Sequence, residues 1–375
     1  MASRPTPPAP SRPWPGFSTP EEARPPDAGG GFAAIGGFAM NMTSRELVVS
    51  ALEFQSPPRV PRQLWLLPWA ELTYPRELAA IREKYPDDLV RCPEFLARPL
   101  VTTGSQYEPG FFIDEWGCRF ESRQAGVIGE VKDPLLKSWR DLDALRLPCE
   151  RLSVDAGRVD EFCFAADAFV YSAASVNLFE RLQFLRGPEA LYIDLAERPD
   201  ELFLLIERLR AFFKEELEIW ASTEVDALFF LDDWGSQKSL LISPALWREI
   251  FKPIYREFAE IAHRHGKYVF MHSDGYIADI FPDLIEIGVD AVNSQIFCMD
   301  VAELGRRFAG RVTFWGEVDR QHILPYGTPD TVAAAVRSAA GALNSRGGVI
   351  AQCEFGIGAR PENVAAVFET WNEIR

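Results

Sequence analysis

The sequence predicts an α/β fold, a single (β/α)8 barrel with a hairpin insertion near 105–130 and a disordered tail ahead of it. Three observations lead there. Short apolar runs alternate with amphipathic helical stretches from about residue 160 to the end. The runs are apolar on both faces, as suits strands of a parallel sheet covered on both sides. Without the tail, roughly 330 residues remain, enough for one barrel. A doubly wound open sheet is the alternative.

Residues 1–39 hold nine prolines and Gly29-Gly30-Gly31, with little to bury, so they read as a disordered tail. Met40 and Met42 are plausible translation starts. The domain proper runs over 43–375. Thr43-Ser44-Arg45-Glu46 opens a helix with a capping box. Leu64 to Leu67 reads as a buried strand and Pro75 to Lys84 as a helix. The alternation around Gly110 to Phe120 suggests an antiparallel hairpin, of the kind that shapes a cleft. Trp139–Leu147 and Val154–Phe162 read as short helices, followed by a strand at Ala168–Tyr171. Helices are expected at Leu178–Leu185, Ala190–Ala196 and Pro199–Thr223. Val225 to Leu231 is an apolar strand ending in Asp232-Asp233-Trp234-Gly235. A helix from Ala245 to His265 leads to the strand Lys267–Met271, ending in His272-Ser273-Asp274-Gly275. A helix at Ile277–Ile287 precedes the short strand Ala291-Val292. Val301–Phe308 is helical, Val312–Trp315 a strand, Pro329–Asn344 helical, Val349–Gln352 a strand and Glu362–Trp371 helical.

Composition narrows the function. The net charge is −16 with no basic cluster, which disfavours nucleic acid and anionic membranes as partners. No apolar run reaches the roughly 18 residues that span a bilayer. Six scattered cysteines without a CxxC pair read as reduced, cytoplasmic usage.

In a parallel barrel the polar residues at the carboxyl ends of the strands line the active site. Those ends supply Asp232, Asp233, His272, Asp274, Asn293, Gln295, Glu317, Asp319, Cys353 and Glu354. His272 is the one histidine of the four at a strand tip, and Cys353 is a cysteine at another. His, Cys and a carboxylate fit a zinc site with an open position. Zinc bound to a thiol holds it as thiolate, a good methyl acceptor.

At these residues the sequence resembles the uroporphyrinogen decarboxylase superfamily, which includes corrinoid-dependent enzymes such as methylcobamide:coenzyme M methyltransferase. The resemblance is carried by Arg59-Val60-Pro61, Asp114-Glu115-Trp116-Gly117, Asp232-Asp233-Trp234-Gly235, Ile242-Ser243-Pro244, His272-Ser273-Asp274-Gly275, Gly316-Glu317-Val318-Asp319 and Cys353-Glu354. It implies a barrel with its site at the carboxyl ends. True decarboxylases grip their substrate's carboxylates with an arginine-rich segment after the first strand. Here that place reads Leu66-Leu67-Pro68-Trp69-Ala70-Glu71, without arginine. In the methyltransferase branch a His-x-Cys pair and a distant Cys bind zinc; here Asp274 stands in place of the middle cysteine. The resemblance therefore implies a methyltransferase taking its methyl from a corrinoid (methylcobamide) carried by a partner corrinoid protein, and passing it to a thiol or similar acceptor. Zinc is expected on His272, Asp274 and Cys353, with Glu317 as a further ligand or catalytic group. Asp232 and Asp233 are expected to position the acceptor or move protons. Asn293, Gln295 and Asp114 are expected to meet the substrate, and Trp65, Trp69 and Trp116 to wall the cleft. The alternatives are a metal-free decarboxylase or lyase and a barrel that binds a tetrapyrrole without catalysis. Both monomers and homodimers are consistent with the family.

Overall fold

A computed structural model describes residues 42–316 and 318–374. Glu317 and the expected tail lie outside the described residues. Eight strands make up one parallel sheet: β1 (Arg62–Leu66), β2 (Leu89–Arg91), β3 (Phe169–Val176), β4 (Ala227–Leu231), β5 (Tyr268–Ser273), β6 (Ala291–Ser294), β7 (Thr313–Trp315) and β8 (Val349–Phe355). Each pairs with its neighbour in sequence from β2 to β8, and β8 pairs with β1. The sheet thus curls until β1 faces β2, where Asp88 N–H donates to the Arg62 carbonyl at 2.9 Å. The result is the expected (β/α)8 barrel, nearly closed.

Side chains alternate across the wall, as strand geometry requires. Along β4, Ala227, Phe229 and Leu231 face the barrel interior, while Leu228 and Phe230 face the helices. The interior is filled with rings: Phe169, Tyr171, Phe229, Phe270 and Trp315. Phe270 and Trp315 meet edge to face at 5.0 Å between centroids, a favourable aromatic geometry. The helix Ser44–Leu52, opened by the expected capping box, seats Val48 and Leu52 in the same inner cluster.

Several boundaries differ from expectation. β2 was not foreseen, because three residues carry no readable periodicity. β5 runs on to Ser273 and β8 to Phe355. His272 and Cys353 therefore sit inside strands, where parity fixes which face each takes. The hairpin region is a four-stranded antiparallel ribbon of Thr103–Gly104, Gly110–Ile113, Arg119–Ser122 and Glu130–Asp133. Among the described residues no helix is long and apolar enough to cross a membrane.

Candidate functional site

The tips of β4 and β5 are stitched together by their own backbones. Asp232 N–H donates to the His272 carbonyl at 3.0 Å, and Tyr276 N–H to the Ser236 carbonyl at 2.7 Å. Trp234 N–H donates to Ser273 Oγ at 3.0 Å. Asp274 N–H donates to Asp233 Oδ1 at 2.8 Å. The approach is so close that a Cβ on Gly235 would lie 2.5 Å from the Tyr276 nitrogen, and one on Gly275 within 2.3 Å of the Gly235 oxygen. Gly275 also has φ +77°, a conformation that glycine adopts without strain. The glycines closing the two motifs are thus the contact that brings the tips together. Trp234 anchors the assembly, stacked on Phe179 at 4.5 Å.

This contact gathers three donors. One ligand atom each from Asp233, His272 and Asp274 lies within 4.8 Å of the others. His272 Nε2 is 3.6 Å from Asp233 Oδ1 and 3.5 Å from Asp274 Oδ1. The other ring nitrogen, Nδ1, faces Asn293 Oδ1 at 2.6 Å. Asn293 is oriented in turn by donating from Nδ2 to the Trp315 carbonyl. Its oxygen therefore accepts from His272 Nδ1–H, leaving the Nε2 lone pair toward the carboxylates. Asp274 is divided: Oδ2 pairs with Arg320, while buried Oδ1 has no hydrogen-bond partner among the described residues. Burial pushes the Asp233 carboxyl up, partly countered by His272.

The site opens into two cavities that share Asp274 and Arg320. One, of about 750 Å³, lies at the mouth, with Glu180, Asp233 and the amides of Gln183, Gln237, Gln295 and Gln321 on its wall. The other, of about 520 Å³, is bounded by Trp65, Tyr171, Phe229, His272 and Glu354. Trp65 packs on His272, centroids 5.2 Å apart. Arg320 spans the two, donating to Glu354 Oε2 at 2.8 Å as well as to Asp274.

The remaining expected residues, apart from Gln295 on the mouth's wall, fall elsewhere. Asp232 is fully buried and accepts from the N–H groups of Phe179 at 2.8 Å and Glu180 at 2.7 Å, and from the Tyr255 hydroxyl. It holds the start of the helix Leu178–Arg186, so it reaches the cleft only through Glu180. Asp114 accepts from the N–H groups of Trp116 and Cys118 and pairs with Arg181 at 2.6 Å. Trp116 is buried against Phe212, 5.0 Å between centroids. Both belong to the joint between ribbon and helices, not to the cleft. Trp69 packs on Tyr74, with its N–H bonded to the Gly126 carbonyl of the ribbon region. Gln295 Oε1 accepts from Gln237 Nε2 at 2.8 Å.

Cys353 is not brought to the three donors. In β8, Ile350 joins the interior cluster, while Ala351, Cys353 and Phe355 join the layer between sheet and helices. By parity the thiol points out through the wall, and Glu354 is the residue that points in.

Two residues of the site were not anticipated. Arg320 lies one residue past the Asp319 end of a tip motif, where a strand-tip rule does not look. Glu180 follows the end of β3, which the sequence placed at Tyr171 and the structure places at Val176. Burial and the nearby Asp233 push the Glu180 carboxyl up to about 7.

The fold and the acidic cluster at its strand ends define a (β/α)8-barrel protein with its site at the carboxyl face. A family model described as uroporphyrinogen decarboxylase (URO-D) matches residues 176–374, more than half of the chain, and the chain belongs to that family. No curated protein matches it in sequence. Among solved structures, a methyltransferase from Methanosarcina mazei has a similar fold, with a TM-score of 0.62 over 89% of this chain and 99% of that one. Its sequence identity is 17%, so the likeness concerns the fold. An endo-beta-1,4-xylanase from Gloeophyllum trabeum covers 85% of this chain and 98% of its own at 12% identity; its TM-score of 0.41 carries no argument.

Proposed function

We propose that the protein is a methyltransferase that takes a methyl group from a corrinoid donor and passes it to a thiol or similar acceptor at a zinc site. The observation that carries this reading is the convergence of Asp233, His272 Nε2 and Asp274 between two cavities. The donor set fits a divalent metal. It offers one imidazole whose other nitrogen is already held by Asn293, and a buried carboxylate oxygen without a hydrogen-bond partner. Three protein ligands leave an open position, and a bound zinc would lower the pKa of an acceptor thiol there.

The chain's own residues supply the rest. Arg320 holds the far oxygen of Asp274, fixing the direction of the near one. Asp233 Oδ2, the oxygen not turned toward His272, is the atom available to receive the acceptor's proton. Trp65 shields the His272 side from water. The amide-lined mouth supports a donor rimmed with neutral carboxamides, as corrinoids are. A macrocycle rimmed with carboxylates would instead meet Glu180, Asp233 and Asp274.

The second reading, a metal-free carboxy-lyase, is favoured by the place of Asp233 on the wall of the mouth, where burial pushes its carboxyl up, toward the proton donor that a carbanion-like intermediate would need. One experiment separates the two. Zinc-reconstituted protein is mixed with methylcobalamin and a panel of thiols, and cobalt demethylation is followed by absorbance. Zinc-dependent transfer supports the first reading. No transfer from a protein that holds no zinc sinks it and leaves the lyase.

A further inference from the structure

The long excursion between β2 and β3, the ribbon included, leaves and rejoins the barrel through one neck. Among the described residues β2 is laddered to β3 and not to β1. Side chains hold the seam on its β1 side instead. Arg62 N–H donates to Asp88 Oδ2 at 2.9 Å, Leu64 N–H to Asp87 Oδ1 at 2.6 Å, and Gln63 Nε2 to the Leu89 carbonyl at 3.2 Å. Cys92 follows β2 directly, its N–H bonded to the Tyr171 carbonyl at 2.8 Å. The chain returns through the helix Ala156–Ala165, which buries Val159 and, one turn on, Cys163.

The two limbs of the neck are fastened to each other. Ala97 N–H donates to the Ser153 carbonyl and Asp155 N–H to the Phe95 carbonyl, both at 2.7 Å. Phe95 packs on Phe162, 6.0 Å between centroids, with the Arg158 guanidinium 4.5 Å from its ring centre. At the foot of the neck the Cys92 thiol donates to the Cys163 sulfur. That hydrogen bond holds the Cys163 thiol below its ordinary range, against burial and the nearby Asp226 and Asp160, which push it up. Of the two sulfurs, Cys163 is therefore the better nucleophile. Both side chains are buried, yet Phe164 beside Cys163 is 75% exposed, so the surface is one residue away. Cysteines held in contact by fixed backbone are the ones a disulfide can bridge without moving the chain far.

We propose that Cys92 and Cys163 form a redox modification site, a dithiol that a peroxide converts reversibly into a disulfide locking the neck of the ribbon. It stands apart from the methyl-transfer reading. The Cys163 thiolate attacks one peroxide oxygen, the O–O bond breaks, and hydroxide leaves with the proton Cys163 gave up, as water. Cys163 is then a sulfenic acid. The Cys92 sulfur attacks it, the S–O bond breaks, and the sulfenic oxygen leaves as water with the Cys92 proton. Both thiols are oxidised and the peroxide is reduced to water. The cross-link closes a loop over residues 92–163 and removes freedom chiefly from the unfolded chain. In the fold it ties β2, the strand beside the seam, to the returning helix. It thereby fixes the root of the ribbon, which walls the mouth with Phe120, Ile128 and Val131.

The test uses the full chain. Equimolar hydrogen peroxide is added to the native protein, the remaining thiols are alkylated after denaturation, and the adducts are read by intact mass and peptide mapping. Of the six cysteines, Cys92 and Cys163 should lose their alkylation together, appear as one linked pair of peptides, and regain it after dithiothreitol. The oxidised protein should unfold at a urea midpoint roughly 1 M above the reduced one. Cys92→Ser should stop at a sulfenic acid on Cys163, trapped by dimedone, with no midpoint shift; Cys163→Ser should show neither. Alkylation kept at both positions, or lost only at Cys149 or Cys298, overturns the proposal. A linked pair that leaves the midpoint unchanged overturns the locking. The linked peptide in the parent decides the matter alone if the serine variants do not fold.

Discussion

His272 can serve as a ligand because Asn293 faces it. The Trp315 carbonyl turns Asn293, Asn293 fixes the tautomer of His272, and Nε2 is left free toward Asp233 and Asp274. Removing such an outer partner commonly costs 10–100-fold in metal affinity. Asn293→Ala should therefore weaken zinc binding by about that factor, read by competition with a chromogenic chelator. An unchanged affinity would show that the ring needs no such support. Asp87 gives a pH prediction. Burial raises its carboxyl to about 6 from an ordinary 3.8. The folded state then holds the proton more tightly than the unfolded one. The stability this contributes is complete below about pH 4 and is lost as pH rises through about 6. Asp87→Asn keeps an acceptor for Leu64 N–H and removes the charge. It should raise the unfolding free energy by about 3 kcal/mol well above pH 6 and leave it unchanged below pH 4, measured by urea titration.

At the scale of elements, the site depends on two strand tips touching through glycine. Added methyls would press on backbone atoms that cannot swing aside. Gly235→Ala should destabilise the fold by about 2–4 kcal/mol in urea unfolding and lower zinc affinity in whatever remains folded. A neutral effect would mean that the tips part without cost. The sequence made both motifs legible, because polar residues followed by glycine after an apolar run mark a strand end. It did not reveal how far each strand continues. Read as ending at Met271 and Gln352, β5 and β8 put His272 and Cys353 at equivalent tips. Two or three more residues of strand turn that likeness into opposite faces, His272 inward and Cys353 outward. Composition near a strand end gives no parity, so the error was not visible before the fold. Asp232 and Asp233 show the same thing on β4: of two adjacent carboxylates, one pins a helix and the other faces the cleft.

For the whole molecule, the alternation of apolar runs and helices narrowed the fold to a barrel or a doubly wound sheet, and the runs from Val225 onward fell close to the observed strands. What stayed hidden was long-range. β2 is three residues long, and the seam beside it exists only because β1 and β2 are not laddered. Arg320 bridges β5 and β8 from the loop after β7, a relation across 46 and 34 residues of chain. Asp114 looked like a cleft residue, yet it ties the ribbon to the barrel through Arg181, as its neighbour Glu115 does through Arg151. The proposed metal donors are Asp233, His272 and Asp274, with Cys353 outside the set. Zinc per chain in the parent, His272→Ala and Cys353→Ala proteins, measured by atomic emission after reconstitution, tests it most directly. About one zinc is expected in the parent and in Cys353→Ala and none in His272→Ala. Zinc lost on removing Cys353, or kept without His272, would contradict it.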